Sequence, residues 1–292
     1  MQELVSIVIP TFNRAECIKE CIENIKLQTY ANIEIIIVDD GSKDNTEKII
    51  NEMEDDSILY YKFIENQGAC AARNMGVNLA KGKYIAFQDS DDLWDKTKIT
   101  KQVEYLEKND LDIVFCSMNV MENDKIKFVI PDRKIPEKEL YKKLLLKNFV
   151  STQTILGKRQ CFIEEEFDRD MPRLQDYDLM LRLVPKFKVG HLNEALVYQK
   201  FSENSLSHNA EKLEKALDRL AIKYKNISGL ANHLYVECGY RNYFLNYGLN
   251  SKGLFKKALK NKFTIKAFLL YLVPNLILNK YINRRQGKGI KE

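Results

Sequence analysis

The first 120 residues alternate short apolar runs with amphipathic helical patterns. The runs are rich in β-branched residues, and several are apolar at consecutive positions, as expected of strands buried on both faces of a parallel sheet. Predicted strands cover residues 5–10, 33–39, 58–64, 84–88 and 113–118, and predicted helices cover 15–27, 45–53, 69–80 and 96–108. Strand–helix alternation of this kind predicts an open, doubly wound α/β sheet.

The alternation ends near residue 118. Beyond it we predict helices over 137–147 and 176–184, and strands over 187–191 and 195–201 that extend the same sheet. From residue 211 onward the pattern is helical, with predicted helices over 211–225, 231–247, 252–260 and 264–283, the last broken by Pro274. A domain boundary is predicted at Ser207, which gives one region over 1–207 and a second over 208–292.

Charge is unevenly distributed along the chain. The net charge is +5, yet residues 248–292 contain eleven Lys and Arg side chains against one Glu. The remaining residues carry 35 basic and 40 acidic side chains, so a mildly acidic body is followed by a basic segment. This segment has apolar residues at helical spacing, which suits an anionic lipid surface, another subunit or its own body. No nucleic-acid-binding module is legible, so we expect no nucleic-acid partner.

Composition and targeting signals narrow the class further. With 45% hydrophobic residues, 12 Gly and 6 Pro, the chain is neither collagen-like nor wholly disordered. Its longest apolar run, at residues 267–273, is too short to span a bilayer, and the first residues lack a secretory signal pattern. The six cysteines form no CxxC pair, so we interpret them as reduced core residues. We expect a cytoplasmic protein, with peripheral contact at the inner face of the cell membrane through the basic segment.

Polar clusters follow three of the predicted strands, at residues 10–14, 39–42 and 89–92. In open α/β sheets, ligands bind beyond the carboxyl ends of the strands, where the strand order reverses. Asp, Asn and Ser are also favoured in turns and helix caps, so each cluster alone has a structural explanation. Three clusters at three strand ends favour a binding site.

The cluster Asp89-Ser90-Asp91-Asp92 places three carboxylates within four residues. Such carboxylates repel one another unless a cation lies among them, and oxygen ligands suit Mg²⁺ or Mn²⁺. The alternative is that Asp92 caps the next helix while the other two are solvated. Neither GxGxxG nor GxxxxGK[ST] is present, so a nucleotide diphosphate would be held through the metal. Gly68 allows a tight turn before the third helix, and Arg73 lies one turn into that helix.

Four motifs, VSIVIPTFNR, IIIVDDGSKDNT, NQGACAARNMG and YIAFQDSDD, occur in this order. Together they resemble family 2 of the GT-A glycosyltransferases, over residues 5–207. The resemblance implies a GT-A type doubly wound mixed sheet with a Rossmann-like nucleotide-binding half and a C-terminal α-helical extension. Residues 1–118 would form the nucleotide-binding half of the catalytic domain, residues 119–207 its acceptor-binding half, and residues 208–292 the basic helical region.

The resemblance also implies roles for individual residues. Asp176, in Gln175-Asp176-Tyr177-Asp178, matches the catalytic base, although on its own it reads equally as a helix N-cap. Asp91, with Asp89, would coordinate the metal on the diphosphate. The uracil would be held by strand-end residues and Asp39, with Arg73 near the base and Asp89 near the ribose. The full set of implied nucleotide-binding residues is Pro10, Thr11, Asn13, Asp39, Asn66, Arg73, Asp89 and Ser90.

One departure from the family pattern concerns the third metal ligand. Many members carry R-x-H-x-x-S-x-S after the last strand, and here Ser202 stands where the His would be. His208, six residues later, is the candidate replacement, the alternative being an ordinary surface histidine.

The resemblance implies a metal-dependent inverting transferase. It would move a hexose or N-acetylhexosamine from a UDP-sugar to a hydroxyl of a glycan, glycolipid or glycoprotein. A carboxylate takes the acceptor proton in such a transfer, and Mn²⁺ or Mg²⁺ neutralises the departing diphosphate. Two alternatives remain: a nucleotidyltransferase that makes nucleotide-sugars, although residues 10–16 lack its glycine-rich loop, and a non-catalytic nucleotide-sugar-binding scaffold.

Overall fold

The computed structural model describes residues 2–200, 210–245 and 250–272, and for residues 241–245 it describes the backbone alone. Ser202 and His208, named above for the third metal ligand, lie outside these residues, as does the predicted helix break at Pro274. The strands are β1 (Val5–Thr11), β2 (Ile33–Asp39), β3 (Ile58–Lys62), β4 (Tyr84–Phe87), β5 (Leu93–Trp94), β6 (Ile113–Glu122), β7 (Lys125–Ile130), β8 (Ile155–Lys158) and β9 (Val189–Gln199).

Helices cover the sheet and form the C-terminal region. They are α1 (Ile18–Lys26), α2 (Thr46–Asn51), α3 (Ala69–Leu79), α4 (Lys98–Lys108), α5 (Glu137–Leu146), α6 (Arg159–Glu164), α7 (Gln175–Leu183), α8 (Ala210–Lys223), α9 (Leu230–Leu245), α10 (Ser251–Asn261) and α11 (Ile265–Leu272). The helix α1 shows why these segments fold as they do: its Ile18, Cys21, Ile22 and Ile25 recur at helical spacing and are all buried.

A mixed sheet organises the first 200 residues, in the order β3–β2–β1–β4–β8–β6–β9–β5, with β7 paired to β6. The strands β3, β2, β1 and β4 are parallel, whereas β8 runs antiparallel between β4 and β6. The strand order reverses at β1, so the carboxyl ends of β1, β2 and β4 meet at one edge. The predicted doubly wound mixed sheet is confirmed.

Several short elements were not predicted. The strands β5, β7 and β8 and the helix α6 have no counterpart among the predicted elements. The two predicted strands at 187–191 and 195–201 are one strand, β9, whose pairing with β6 shifts register at Cys116 and Ser117. The prediction that this segment extends the sheet is confirmed.

Close packing of α3 on β1 depends on Gly76, which lies inside the helix. A Cβ added there would lie 2.3 Å from Cγ1 of Val8, a fully buried side chain in the middle of β1. Val8 is β-branched and enclosed by the core, so its side chain has few rotamers in which to avoid the clash.

We therefore expect Gly76→Ala to lower the free energy of unfolding by about 1–3 kcal/mol, the usual cost of overpacking. This sign is opposite to that of most Gly→Ala changes in helices, which gain up to about 1 kcal/mol from helix propensity. Urea unfolding measures the change, with Asn78→Ala on the exposed side of α3 as the control. A Gly76→Ala protein as stable as wild type would contradict the packing argument.

The chain divides into two compact units. One contains residues 1–170 and 175–202, and the other contains residues 171–174 and 203–292. In the second unit, Lys257 of α10 pairs with Glu214 and Asp218 of α8, both at 2.8 Å. Side chains of α11 such as Ile265 and Leu269 remain more than half exposed. None of the helices in the described ranges combines the length and apolar character needed to cross a bilayer.

Candidate active site

Parallel pairing brings the first two polar clusters together. Thr11, the last residue of β1, lies directly beside Asp39, the last residue of β2. The backbone N–H of Gln88, just after β4, donates to the Val8 carbonyl at 3.0 Å, so residues 89–92 continue from the same edge. The structure therefore places all three clusters at the carboxyl edge of the sheet, where a ligand is expected.

Asn13 joins the loops that follow β1 and β2. Its backbone N–H donates to Oγ of Ser42, and its side-chain oxygen accepts from the N–H of Lys43, both at 2.8 Å. Asn13 adopts a left-handed φ of 51°, which asparagine tolerates better than most residues. Pro10 is buried near the end of β1. The Thr11 Oγ1 is also buried, and it has no hydrogen-bond partner among the described residues.

Asp39 is fully buried, and both of its carboxylate oxygens already accept hydrogen bonds. The Tyr60 hydroxyl donates to Oδ2 at 2.6 Å, and the Ser42 N–H donates to Oδ1 at 2.7 Å. Burial and the adjacent Asp39 carboxylate raise the pKa of Tyr60, so the phenol remains a donor. Contact between Asp39 and a uracil stays a prediction. The uracil would have to donate to carboxylate lone pairs that the Tyr60 hydroxyl and the Ser42 N–H do not already occupy.

Asp40 fixes the turn before α3. Its Oδ1 accepts from the N–H of Gln67 at 2.6 Å, and its Oδ2 accepts from the N–H of Gly68 at 2.8 Å. Gly68 has a φ of +92°, a conformation that L side chains rarely adopt. This contact was missed in the sequence, where the two adjacent aspartates look equivalent. Asn66, predicted to bind nucleotide, is exposed at the start of this turn.

Arg73 bridges two segments of the site. It is 6% exposed, and its Nη2 donates to Oδ1 of Asp89 at 2.8 Å while its Nη1 donates to Oε1 of Gln175 at 2.9 Å. Its guanidinium also lies 5.3 Å from the ring centroid of Phe167. The side chain of Asn74, the next residue, makes two hydrogen bonds of 2.9 Å to the main chain of Phe167: its Nδ2 donates to the carbonyl and its Oδ1 accepts from the N–H. Arg73 therefore joins the end of β4 to the start of α7, and its predicted nearness to a nucleobase stays a prediction.

The acidic cluster after β4 contains two kinds of carboxylate. The side chains of Asp89 and Asp91 are each 31% exposed, whereas Asp92 is 3% exposed. Burial and the neighbouring Asp89 raise the pKa of Asp91, and Arg14, at 3.5 Å, opposes that shift. Ser90 is buried between them. A cation beside Asp89 and Asp91 would relieve their repulsion.

Asp92 has a structural role. Its Oδ1 accepts from the N–H of Lys200 at 3.0 Å, and its Oδ2 accepts from Nε2 of Gln153 at 2.7 Å. The alternative in which Asp92 caps the next helix is wrong, because Asp95 accepts from the N–H and Oγ1 of Thr97 at the start of α4. Asp92 instead ties the end of β9 to the edge of the sheet.

The residues present fit a divalent metal that is shared with a diphosphate. In the part of the chain that the structure describes, no group of three or more His, Cys, Asp or Glu side chains could hold a metal ion by itself. Mg²⁺ is typically held by one or two carboxylates together with phosphate oxygens and water. Asp89 and Asp91 match that requirement, because both are partly exposed and their carboxylates are close enough to repel each other.

Asp176 lies in the first turn of α7. Its Oδ1 accepts from the N–H of Tyr177 at 2.7 Å and from Nδ2 of Asn148 at 3.1 Å. Burial raises the pKa of Asp176 to about 6, against the opposing effects of the Tyr177 N–H and Arg73. A base with a pKa close to the working pH is well suited to proton transfer. Asn148 was not predicted, and no sequence signal identifies it.

Asp178, two residues after Asp176, forms an ion pair within the helix α7. It is fully buried, and its Oδ2 accepts from Nη2 and Nε of Arg182 at 3.1 and 3.2 Å. Removing one partner of a buried ion pair is strongly destabilising. Asp178 is thus unsuitable as a neutral control for Asp176.

Comparisons with known proteins agree with this geometry. The family model of glycosyl transferase family 2 matches residues 6–165. An uncharacterised glycosyltransferase of Rickettsia felis is 32% identical over 193 residues, which cover 66% of this chain and 32% of that protein. The Escherichia coli UDP-Glc:alpha-D-GlcNAc-diphosphoundecaprenol beta-1,3-glucosyltransferase WfgD is 30% identical over 251 residues, covering 84% of this chain and 96% of WfgD. This chain thus spans about a third of one relative and nearly all of the other.

Two solved structures share the fold. S. aureus TarS 1-349 in complex with UDP-GlcNAc has a TM-score of 0.68 at 14% identity, covering 98% of this chain and 92% of the TarS 1-349 chain. The mannosyltransferase PcManGT from Pyrobaculum calidifontis, in complex with GDP-Man and Mn²⁺, has a TM-score of 0.62 at 14% identity, covering 97% and 84%. The predicted GT-A fold is confirmed, and the nucleotidyltransferase and scaffold alternatives are set aside. From its matched residues and its relatives, the chain belongs to glycosyl transferase family 2.

Proposed function

We propose that the chain transfers a hexose or N-acetylhexosamine from a UDP-sugar to a hydroxyl of an acceptor, with inversion at the sugar and with a divalent metal. The observation that carries this proposal is the Arg73 bridge between Asp89 and Gln175. Through it the acidic cluster and Asp176, which follows Gln175 directly, lie at one edge of the sheet. A donor's diphosphate and an acceptor hydroxyl need these two groups close together.

The donor would lie across the ends of β1, β2 and β4. The unpartnered Thr11 hydroxyl, the Asn13 loop and the Asp39 carboxylate would face the uracil, with Arg73 near the base and Asp89 near the ribose. Pro10, Asn66 and Ser90 would complete this surface. A UDP donor is supported by the name of WfgD and by the UDP-GlcNAc bound to TarS.

Mn²⁺ or Mg²⁺ would be held by Asp91 and Asp89, with His208 as the candidate for a third ligand. When bound, the metal supplies positive charge for the departing diphosphate. The Mn²⁺ in PcManGT supports this choice. Arg14, which contacts Asp91 at 3.5 Å, is placed to contribute a second positive charge.

Asp176 would accept the proton of the acceptor hydroxyl as the oxygen attacks the sugar. The Tyr177 N–H and the Asn148 amide both donate to Oδ1, so they orient the carboxylate and leave Oδ2 for the proton. The Arg73 guanidinium favours the ionised form of Asp176. These contacts give the base a fixed direction and a pKa suited to a neutral solution.

For the acceptor we propose a sugar linked to a lipid through a diphosphate, the class named for WfgD. The functional division would follow the sequence, with donor binding in 1–118, acceptor binding in 119–207 and a basic helical region over 208–292. A lipid-linked acceptor suits an enzyme in the cytoplasm that contacts the membrane peripherally through its C-terminal helices. The alternative use of those helices is contact with a second copy of the chain.

Nucleotide preference is the direct test. We expect UDP with Mn²⁺ to raise the unfolding temperature more than GDP or ADP at equal concentration, because the residues around Thr11 and Asp39 would bind uracil in preference to a purine base. A ligand at a hundredfold excess over its Kd stabilises by about 2.7 kcal/mol, which thermal unfolding resolves easily. Equal shifts for the three nucleotides would contradict the base assignment, and no shift with any of them would contradict the proposed function.

A further inference from the structure

A groove of about 390 Å³ lies between the end of β7 and the second half of α5. Residues 128–135 form one wall, and Lys143, Lys147 and Phe149 form the other. Its lining includes Ile130, from the end of β7, and Phe149, which is 9% exposed. The groove is therefore lined by both apolar and charged residues.

Four cations line this groove against a single carboxylate, that of Asp132. They are Arg133, Lys134, Lys143 and Lys147. The chain outside its basic C-terminal segment carries more acidic than basic side chains, so this concentration of positive charge is a local feature. A concave surface lined by one sign of charge favours a ligand of the opposite sign.

Two of the four cations are available to a ligand. Lys147 is exposed and has no ion pair in the part of the chain that the structure describes, and the partner of Arg133 is its neighbour Asp132, at 3.9 Å. Lys143 already pairs with a glutamate on its own helix. Lys134 contacts a tyrosine hydroxyl and a main-chain carbonyl, which fix its position.

The groove adjoins the proposed base through one short segment. Lys147 and Phe149 line the groove, and Asn148 between them donates to Asp176 Oδ1 at 3.1 Å. The backbone at Lys147 is extended, with φ −163° and ψ 134°, so successive side chains point to opposite sides. The same segment thus contacts the base with one side chain and the groove with its two neighbours.

We propose that this groove binds the diphosphate and the first apolar carbons of a lipid-linked acceptor, with Arg133 and Lys147 on the diphosphate. The inference rests on the proposed function, because it assigns a binding site to the lipid diphosphate end of the acceptor. Asp176 would activate the hydroxyl at the other end of that same acceptor. Arginine binds phosphate oxygens in a bidentate manner and lysine binds them as a point charge. The apolar lining at Ile130 and Phe149 suits the lipid chain that a simple glycan or a phosphoprotein lacks.

The test measures binding of farnesyl diphosphate by calorimetry, with UDP and Mn²⁺ at saturation so that the donor site is filled. We expect the double variant Arg133→Gln/Lys147→Gln to bind at least about tenfold more weakly than wild type, because two charge-assisted contacts are lost. Both side chains are exposed, so folding is unaffected. The matched control Lys138→Gln/Lys142→Gln removes the same charge from exposed positions of α5 outside the groove, and it should bind as wild type.

Two further probes distinguish a lipid diphosphate from a free anion. Inorganic pyrophosphate and farnesol should each bind at least about tenfold more weakly than farnesyl diphosphate, since each fills half of the groove. The proposal is overturned by equal affinity for pyrophosphate, by absence of farnesyl diphosphate binding, or by equal binding in both double variants. Failure of UDP itself to bind, measured first in the same cell, would count against the proposed function and not against the groove.

Discussion

Replacing Asp176 with asparagine is expected to lower the transfer rate by about 10²–10⁴-fold, the usual cost of losing a general base. Asparagine keeps the size of the side chain and can still accept from the Tyr177 N–H, but it cannot take a proton. UDP-sugar affinity should remain nearly unchanged, because the base acts on the acceptor. Calorimetry measures the affinity, and a coupled UDP-release assay measures the rate.

The control for this variant is Asp56→Asn, which changes an exposed carboxylate just before β3 and should transfer at the wild-type rate. Asp178→Asn is not a neutral control, since it breaks the buried pair with Arg182 and should lower stability. A near-normal rate for Asp176→Asn would show that another group takes the proton.

The pH dependence of transfer follows from the same carboxylate. Burial raises the pKa of Asp176 to about 6, so the active, ionised form is lost as the pH falls through that value. At one pH unit below the pKa the rate should be about tenfold lower than on the plateau above it. Asp176→Asn should lack this limb, so a profile that keeps it would point to a different titrating group.

The second large effect concerns Asp91. Asp91→Asn should weaken UDP-sugar affinity in the presence of Mn²⁺ by at least about tenfold, because the proposed metal would lose one of its two carboxylate ligands. In the absence of Mn²⁺ the variant and the wild type should bind UDP-sugar with similar affinity. The increase in affinity that Mn²⁺ causes should therefore be smaller in the variant. Calorimetric titration of UDP-sugar with and without Mn²⁺ measures both quantities.

Asp56→Asn again provides the charge-matched control and should keep the full effect of Mn²⁺. The variant's transfer rate should fall together with donor affinity, in contrast to Asp176→Asn, for which affinity is preserved. If Asp91→Asn binds UDP-sugar with unchanged Mn²⁺ dependence, the metal is not held at this cluster.

The parallel part of the sheet was predictable because β1, β2, β3 and β4 each carry their own signal. β1, for example, is mostly apolar, and all seven of its residues are buried. β8 gave no such signal: its four residues, Ile155–Lys158, form a strand because they fit between β4 and β6. β7 was missed although Ile126, Phe128 and Ile130 recur at strand spacing, and Ile126 and Phe128 remain about half exposed. A strand is recognisable from the sequence when its own consecutive residues are apolar and buried. A strand such as β8, which forms because it pairs with two other strands, carries no such local signal.

Site residues show a similar division. The sequence placed polar clusters at the correct strand ends but could not distinguish equivalent aspartates. Asp91 is partly exposed beside Arg14, whereas Asp92, the next residue, accepts from the N–H of Lys200, more than a hundred residues later in the sequence. Asp40 is likewise committed to the N–H groups of Gln67 and Gly68, which are distant from it in sequence. The roles of Asp92 and Asp40 are set by these long-range partners, which no local motif encodes, whereas Asp178 pairs with Arg182 one turn along its own helix.

Arg73 also bears on how members of such a family could be recombined. The bridge joins Asp89 to Gln175, and neither partner lies within the segment 125–149 that contains β7, α5 and the groove. A chimaera that exchanges residues 125–147 therefore keeps the guanidinium and both of its partners, and it also retains Asn148 beside the base. If the groove binds the acceptor as proposed, acceptor choice should change on grafting this one contiguous piece of chain, with no redesign of the proposed donor half.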